Sequence, residues 1–179
     1  MNSRAQPAYF LNEDYHIIPE SLRSYGGAVN CGILYGLAIA NWARNIVEIG
    51  VQRGISTRIL LHAVGKTKGF LTSMDIDPAC QAVSSDDRWT FIAGRSQDTA
   101  PIPSDFLFVD GDHSYQAVCS DMSRHGRAVK DGGIVVLDDY FPSFPGKMRW
   151  VDERWDAIQP LVIGPFVIVR VTPQARAAF

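Results

Sequence analysis

Asn45-Ile-Val-Glu48-Ile-Gly50-Val-Gln-Arg-Gly54-Ile-Ser56 is the stretch whose reading decides the fold. Asn45 to Gly50 is a short apolar run suited to a buried strand, and it leads into a turn with glycines at 50 and 54. Beyond the turn, Ile59, Leu60 and Ala63 share one face of a helix predicted over Ser56 to Val64, with Ser56 as its N-cap. A strand passed through glycines into a helix start lets backbone approach a ligand at a positive helix end, which suits a nucleoside cofactor. The turn is not GxGxxG, because position 52 is Gln, so a dinucleotide oxidoreductase is weakly supported. A tight strand-to-helix turn with no ligand would need the same two glycines.

Outward from this stretch, short apolar runs alternate with amphipathic segments. Strands are predicted over Gly69 to Ile76, Trp89 to Ala93, Asp105 to Asp110 and Gly133 to Leu137, with one or two closing strands in Leu161 to Val171 around Gly164-Pro165. Helices are predicted over Ser114 to Val129 and Val151 to Ile158. This is the pattern of an α/β protein, a doubly wound and mostly parallel sheet with helices on both faces. At 179 residues the chain fits a single domain, with a helical segment over 1–43 ahead of a core over 44–179.

Composition narrows the function. An apolar fraction of 46% with 20% charged residues is that of a soluble protein, and a net charge of −2 gives no general attraction to nucleic acid. Cys31, Cys80 and Cys119 are widely spaced, without a CxxC pair, and read as reduced thiols. Met1 to Asp14 lacks the basic start and apolar run of a signal peptide, so a cytoplasmic location is expected, and nothing approaches a membrane span. The longest apolar stretch, Gly26 to Trp42, carries Asn30 and Asn41 and reads as a buried or partner-facing helix, a possible surface for a homo-oligomer.

The strand ends carry the chemistry. Asp75, in Met74-Asp75-Ile76-Asp77-Pro78, stands at the end of the second strand, where an acid accepts hydrogen bonds from ribose hydroxyls. The fourth strand ends in Asp110-Gly-Asp112-His113 and the fifth in Asp138-Asp139-Tyr140. Adjacent parallel strands would bring Asp110, Asp138 and Asp139 to one edge, where like charges repel unless protonated or neutralised by a cation. Hard oxygen ligands favour Mg2+, or alternatively Mn2+ or Ca2+. Capping of the following helices would use the same acids. His113, three residues past Asp110, is a candidate proton acceptor beside Asp112.

With these motifs in hand, the chain resembles the class I S-adenosylmethionine-dependent methyltransferases, and within them the metal-dependent O-methyltransferases of the catechol and macrolide-sugar kind. The resemblance runs from about Ile46 to Pro145 and implies a Rossmann-like, seven-stranded sheet. It implies that Glu48, Gly50 and Ser56, with Val51 and Gly54 in the same turn, meet the methionine end of S-adenosylmethionine, and that Asp75 with Ile76 meets its ribose. Gly94-Arg-Ser-Gln-Asp98 is similar to the family's Gly-x-Ser-Gln-Asp segment, so Gly94, Ser96 and Gln97 carry over as adenine contacts. Asp110 falls in both the cofactor and the metal sets. Asp110, Asp138 and Asp139 match the family's three metal ligands.

Two positions depart from the catechol enzymes, which have lysine where this chain has His113 and asparagine where it has Asp139. His113 and Asp112 therefore both stand as candidates for the base. The run Val-Asp-Gly-Asp-His-Ser-Tyr around Asp110 resembles a broad group of small methyltransferases and cephalosporin-hydroxylase-like proteins.

The expected activity is O-methylation of a small hydroxylated acceptor, with His113 and Asp110 as catalytic residues. Tyr140, Phe141, Phe144 and Trp150 are candidate walls of the acceptor pocket, with core packing as their alternative, and Tyr9 to Tyr25 is a candidate lid. A metal-independent methyltransferase on nucleic acid or protein, or a non-catalytic cofactor-binding homologue, are the rival readings.

Overall fold

The computed structural model describes residues 27–179. The candidate lid, Tyr9 to Tyr25, lies outside the described residues. Thirteen elements of helix and strand follow in order. They are α1 (Gly27–Ala40), β1 (Asn45–Ile49), α2 (Ile55–Thr67), β2 (Phe70–Asp75), β3 (Trp89–Ala93), β4 (Ser104–Val109), α3 (Tyr115–Asp121), β5 (Val129–Leu137), α4 (Pro145–Asp152), α5 (Trp155–Ile158), β6 (Leu161–Ile163), β7 (Phe166–Arg170) and α6 (Pro173–Ala178).

The strands form one seven-stranded sheet in the order β3-β2-β1-β4-β5-β7-β6. β1 to β5 run parallel, while β7 is antiparallel to both β5 and β6. Alternation along the buried strands sorts their side chains onto two faces. Phe106, Phe108, Ile134 and Val136 point to a core shared with Leu34, Ala38 and Leu60 from α1 and α2. Leu107, Val109, Val135 and Leu137 point to the opposite core, shared with Val118, Trp150 and Ala175 from α3, α4 and α6. The doubly wound, mostly parallel architecture expected from the sequence is what the chain adopts.

Several boundaries differ from the sequence reading. The helix predicted over Ser114 to Val129 ends at Asp121 and closes in a π turn, Met122–Gly126. Val129 already belongs to β5, where it pairs with Ser104 ahead of a register shift, so the fifth strand begins four residues before Gly133. The helix predicted over Val151 to Ile158 is two helices. Pro145 starts the first, a position where a missing N–H costs nothing, and the break falls at Glu153-Arg154. Ser56 is not an N-cap: α2 begins at Ile55 behind Gly54, whose φ is +73°. The closing helix α6 was not anticipated, although Thr172-Pro173 is a start signal: Thr172 Oγ1 accepts the Ala175 N–H at 3.1 Å.

The order of β1 and β4 makes the feature that matters most. The chain leaves β1 in one direction across the sheet and returns to β4 on its other side, and at such a reversal the helices diverge and leave a crevice beyond the strand ends.

Candidate active site

A stepped row of backbone hydrogen bonds frames that crevice. Gly50 N–H donates to Met74 O at 2.9 Å, Gly94 N–H to Asp75 O at 2.8 Å, Asp110 N–H to Ile49 O at 2.8 Å and Asp138 N–H to Val109 O at 3.1 Å. Each strand's last pairing thus fixes the residue that follows it, and these are the positions singled out in the sequence. Above them opens a cavity of about 890 Å³, within the range of small-ligand pockets.

Gly50, Val51, Ser56, Asp75, Ile76, Gly94, Ser96 and Gln97 line one side of the cavity, and Asp110, His113, Asp138 and Asp139 line the other. Two predicted cofactor residues do not reach it. Gly54 stands behind the turn against Val83. Glu48 is wholly buried and accepts hydrogen bonds from Ser56 Oγ at 2.6 Å, Thr57 Oγ1 at 2.8 Å and Ser73 Oγ at 2.6 Å. Burial raises its carboxyl to about 7 against the pull of those three hydroxyls. Glu48 therefore acts on the cavity through Ser56, whose orientation it sets.

Gly50 is required by its neighbours as well as by its conformation. Its φ is +95°, and a Cβ there would lie 2.2 Å from the Asp110 carbonyl oxygen. Asp75 buckles the turn to β2: Oδ2 accepts from the Val51 and Gln52 amides at 2.8 and 3.0 Å, and Oδ1 from Asp77 N–H at 2.9 Å. Burial pushes its carboxyl up, but the amides of Asp77, Gln52 and Val51 outweigh that and hold it below the ordinary value. A carboxylate accepts more hydrogen bonds than these three, so its cavity side stays competent for hydroxyls.

On the β3 side, Ser96 Oγ donates to Asp121 Oδ1 at 2.5 Å, and its carbonyl meets His125 Nε2 at 3.0 Å. Asp121, buried on α3, also lines the cavity, and no motif in the sequence marks it. Cys31 of α1 is another unanticipated lining residue, its thiol raised to about 11 by burial and by the charge of Asp138.

The acidic side holds two carboxyls raised well above the ordinary carboxylate value. Burial, then the charge of Asp138, raises the Asp110 carboxyl to about 7, and burial raises that of Asp138 to about 6. Asp139 has φ +61°, an uncommon state for a residue with a side chain, and its N–H donates to Asp138 Oδ1 at 2.7 Å. That twist leaves Asp139 Oδ2 at 3.5 Å from His113 Nε2. The His113 ring lies against Phe144, with centroids 4.2 Å apart, and burial followed by the charge of Lys147 lowers its pKa. The imidazole is thus neutral and able to take a proton near neutral pH. Asp112, in contrast, is exposed, and its Oδ1 accepts the Ser114 N–H at 2.8 Å.

The cluster supplies hard carboxylate oxygens, the kind of donor a divalent ion takes. Among the described residues, however, no three His, Cys, Asp or Glu side chains are gathered closely enough to hold an ion.

The aromatic residues expected as acceptor walls mostly go elsewhere. Trp150 is buried in the core, Tyr140 Oη donates to Asp152 Oδ1 at 2.7 Å, and Phe141 is exposed. Of the four, Phe144 alone touches the site, through His113. Lys147, a residue no motif had marked, is buried beside the acids.

Comparison with known proteins fits this geometry. A family profile described as a methyltransferase domain matches residues 47–140. An uncharacterised protein of Acanthamoeba polyphaga mimivirus is 38% identical over 65 residues, covering 36% of this chain and 27% of that protein. Among solved structures, a methyltransferase of Podospora anserina bound to S-adenosylhomocysteine superposes with a TM-score of 0.66 at 16% identity, covering 89% of this chain and 85% of that one. The O-methyltransferase NovP gives 0.63 at 22% identity, covering 82% and 81%. The MycE methyltransferase of mycinamycin biosynthesis, in complex with Mg and S-adenosylhomocysteine, gives 0.60 at 21% identity, covering 76% of this chain. This chain spans 47% of MycE, about half its length. Among the described residues no helix is long and apolar enough to cross a membrane. With the family profile spanning more than half of its residues and the strand-end cavity where the fold requires one, the chain belongs to the methyltransferase-domain family.

Proposed function

We propose that the chain transfers the methyl group of S-adenosylmethionine to a hydroxyl of a small molecule. The observation that carries this reading is the two-sided cavity: a glycine turn with Asp75 and Ser96-Gln97 on one side, a neutral His113 facing Asp139 on the other. S-adenosylhomocysteine in the Podospora anserina and MycE structures supports the same donor here.

The donor's charged sulfonium suits the acidic wall. Backbone of Gly50 and Val51 with Ser56 would receive its methionine end, Asp75 its ribose hydroxyls, and Gly94, Ser96 and Gln97 its adenine. The acceptor hydroxyl sits beside His113, which takes its proton as the oxygen attacks the methyl carbon. The carbon–sulfur bond breaks and S-adenosylhomocysteine leaves. Most of the rate gain comes from holding oxygen, carbon and sulfur in line. Asp139, 3.5 Å from Nε2, stabilises the imidazolium that forms.

A divalent ion, Mg2+ by preference, belongs to the proposal on donor chemistry and strand-end placement; Asp110, Asp138 and Asp139 would hold it, and it would lower the pKa of a bound hydroxyl. Nucleic acid fits poorly, because Asp110, Asp138 and Asp139 wall the acceptor side and would repel phosphate. Free Cys31, Cys80 and Cys119 suit a reducing compartment, in keeping with a cytoplasmic enzyme.

The test is methyl transfer from labelled S-adenosylmethionine to a panel of catechols, phenols and sugar alcohols, with excess chelator and with Mg2+ restored. The proposal expects labelled ether product that disappears in chelator and returns with Mg2+. Transfer that ignores chelator would remove the metal from the reading. No transfer to any hydroxyl, with the donor bound, would leave a non-catalytic homologue.

A further inference from the structure

Lys147 is the one buried lysine among the described residues, 1% exposed, and its Nζ has no hydrogen-bond partner. A lone ammonium in such a place is costly unless charge around it compensates. Burial lowers the pKa of its ammonium, and the charges that pull against that, largest first, are those of Asp110, Asp139, Asp138 and Asp121. Three of these are the strand-end carboxylates of the cavity's acceptor side, and the fourth is the partner of Ser96.

The position is built. Gly146 lets the first turn of α4 press against the loop before α3, since a Cβ there would lie 2.4 Å from His113 O and 2.5 Å from Tyr115 N. Tyr115 Oη donates to Glu153 Oε2 at 2.6 Å, and Arg149 donates to Glu153 Oε1 at 2.7 Å while its guanidinium lies 4.2 Å from the Tyr115 ring centre. These contacts clamp α4 to α3 and bury Lys147 next to the residue that packs on the His113 loop.

We propose that Lys147 is a positioning residue of this site, its buried ammonium being the fixed counter-charge that holds Asp110 and Asp139 in place at the acceptor end. It touches neither donor nor acceptor. The inference rests on the cavity being the functional site and not on a metal being bound.

The alternative is a lysine buried only for its stem, and the two differ in sign. Methionine fills the same volume without charge. If Lys147 merely packs, Lys147→Met removes an unpaired buried cation and leaves stability equal or higher. If it is the counter-charge, Lys147→Met in excess chelator, without cofactor, lowers Tm by about 10 °C. Adding Asp110→Asn then recovers at least half of that loss, because one of the repelling carboxylates is gone.

Lys147→Met combined with Asp105→Asn, at the far end of β4 where Asp105 accepts from the Arg44 and Asn45 amides, shows simple additivity. If Lys147→Met fails to fold while the double variant with Asp110→Asn folds, the inference stands. A single variant as stable as the parent, or a double variant no better than the single one, overturns it. Because these measurements use no metal and no donor, chelator-insensitive methyl transfer would sink the metal reading and leave this one untouched.

Discussion

Two side chains carry most of the chemistry. His113 is neutral because burial and the neighbouring Lys147 charge oppose its protonation, and Asp139 is turned toward it by a left-handed backbone. Replacing His113 by Gln keeps a polar ring-sized group and removes the base. We expect kcat to fall by about 10²- to 10⁴-fold with S-adenosylhomocysteine affinity within about twofold of the parent, checked by steady-state kinetics and calorimetry. Asp112→Asn, at an exposed residue already engaged by Ser114, leaves kcat within about threefold; the reverse ranking would transfer the base to Asp112.

These residues were legible in the sequence because strand-end carboxylates and an adjacent His form a local pattern. Lys147 was not, since its significance comes from α4 folding back over the His113 loop, a contact between distant positions. Glu48 was legible as part of the turn, but no local pattern says that its carboxylate points into the core toward Ser56, Thr57 and Ser73.

At the scale of elements, the turn between β1 and α2 is fixed by close approach as much as by dihedral freedom. Gly50→Ala would place a Cβ 2.2 Å from Asp110 O at a φ of +95°. Strain alone costs about 1–3 kcal/mol, and the clash displaces the loop that carries Asp110. The expected result is a lower midpoint in urea together with loss of S-adenosylhomocysteine binding. Trp150→Ala tests the core reading of that residue against the pocket-wall one: stability should drop by about 3–5 kcal/mol in chemical denaturation. If Trp150 instead walled the acceptor pocket, stability would hold and KM for the acceptor would rise.

Strand positions were readable from apolar runs bounded by Gly, Pro and Asp. Helix ends after Ser114 were not, because the π turn at Met122–Gly126 and the early start of β5 depend on pairing with Ser104 across the sheet.

For the whole molecule, the doubly wound order brings charge inward, and stability should respond to pH accordingly. Glu48 is wholly buried with its carboxyl raised from 4.5 to about 7. A raised acid holds its proton in the folded state where the unfolded chain has released it. Its contribution is fully present below pH 4.5 and is lost as pH rises through about 7. Urea denaturation in chelator should therefore show stability falling over that window, with Asp110 and Asp138 adding to the slope in the same direction. Glu48→Gln should flatten it, and an unchanged slope would remove Glu48 as its source. One fold thus places a glycine turn, an acid and a polar turn on one side of a crevice and carboxylates with His113 on the other.

Isothermal titration with S-adenosylhomocysteine probes this arrangement, comparing the parent chain with Asp75→Ala, which unbuckles the turn from β2. We expect one binding site per chain, weakened at least about tenfold in the variant. No binding heat at ligand concentrations in the millimolar range, or binding that ignores Asp75, would contradict it.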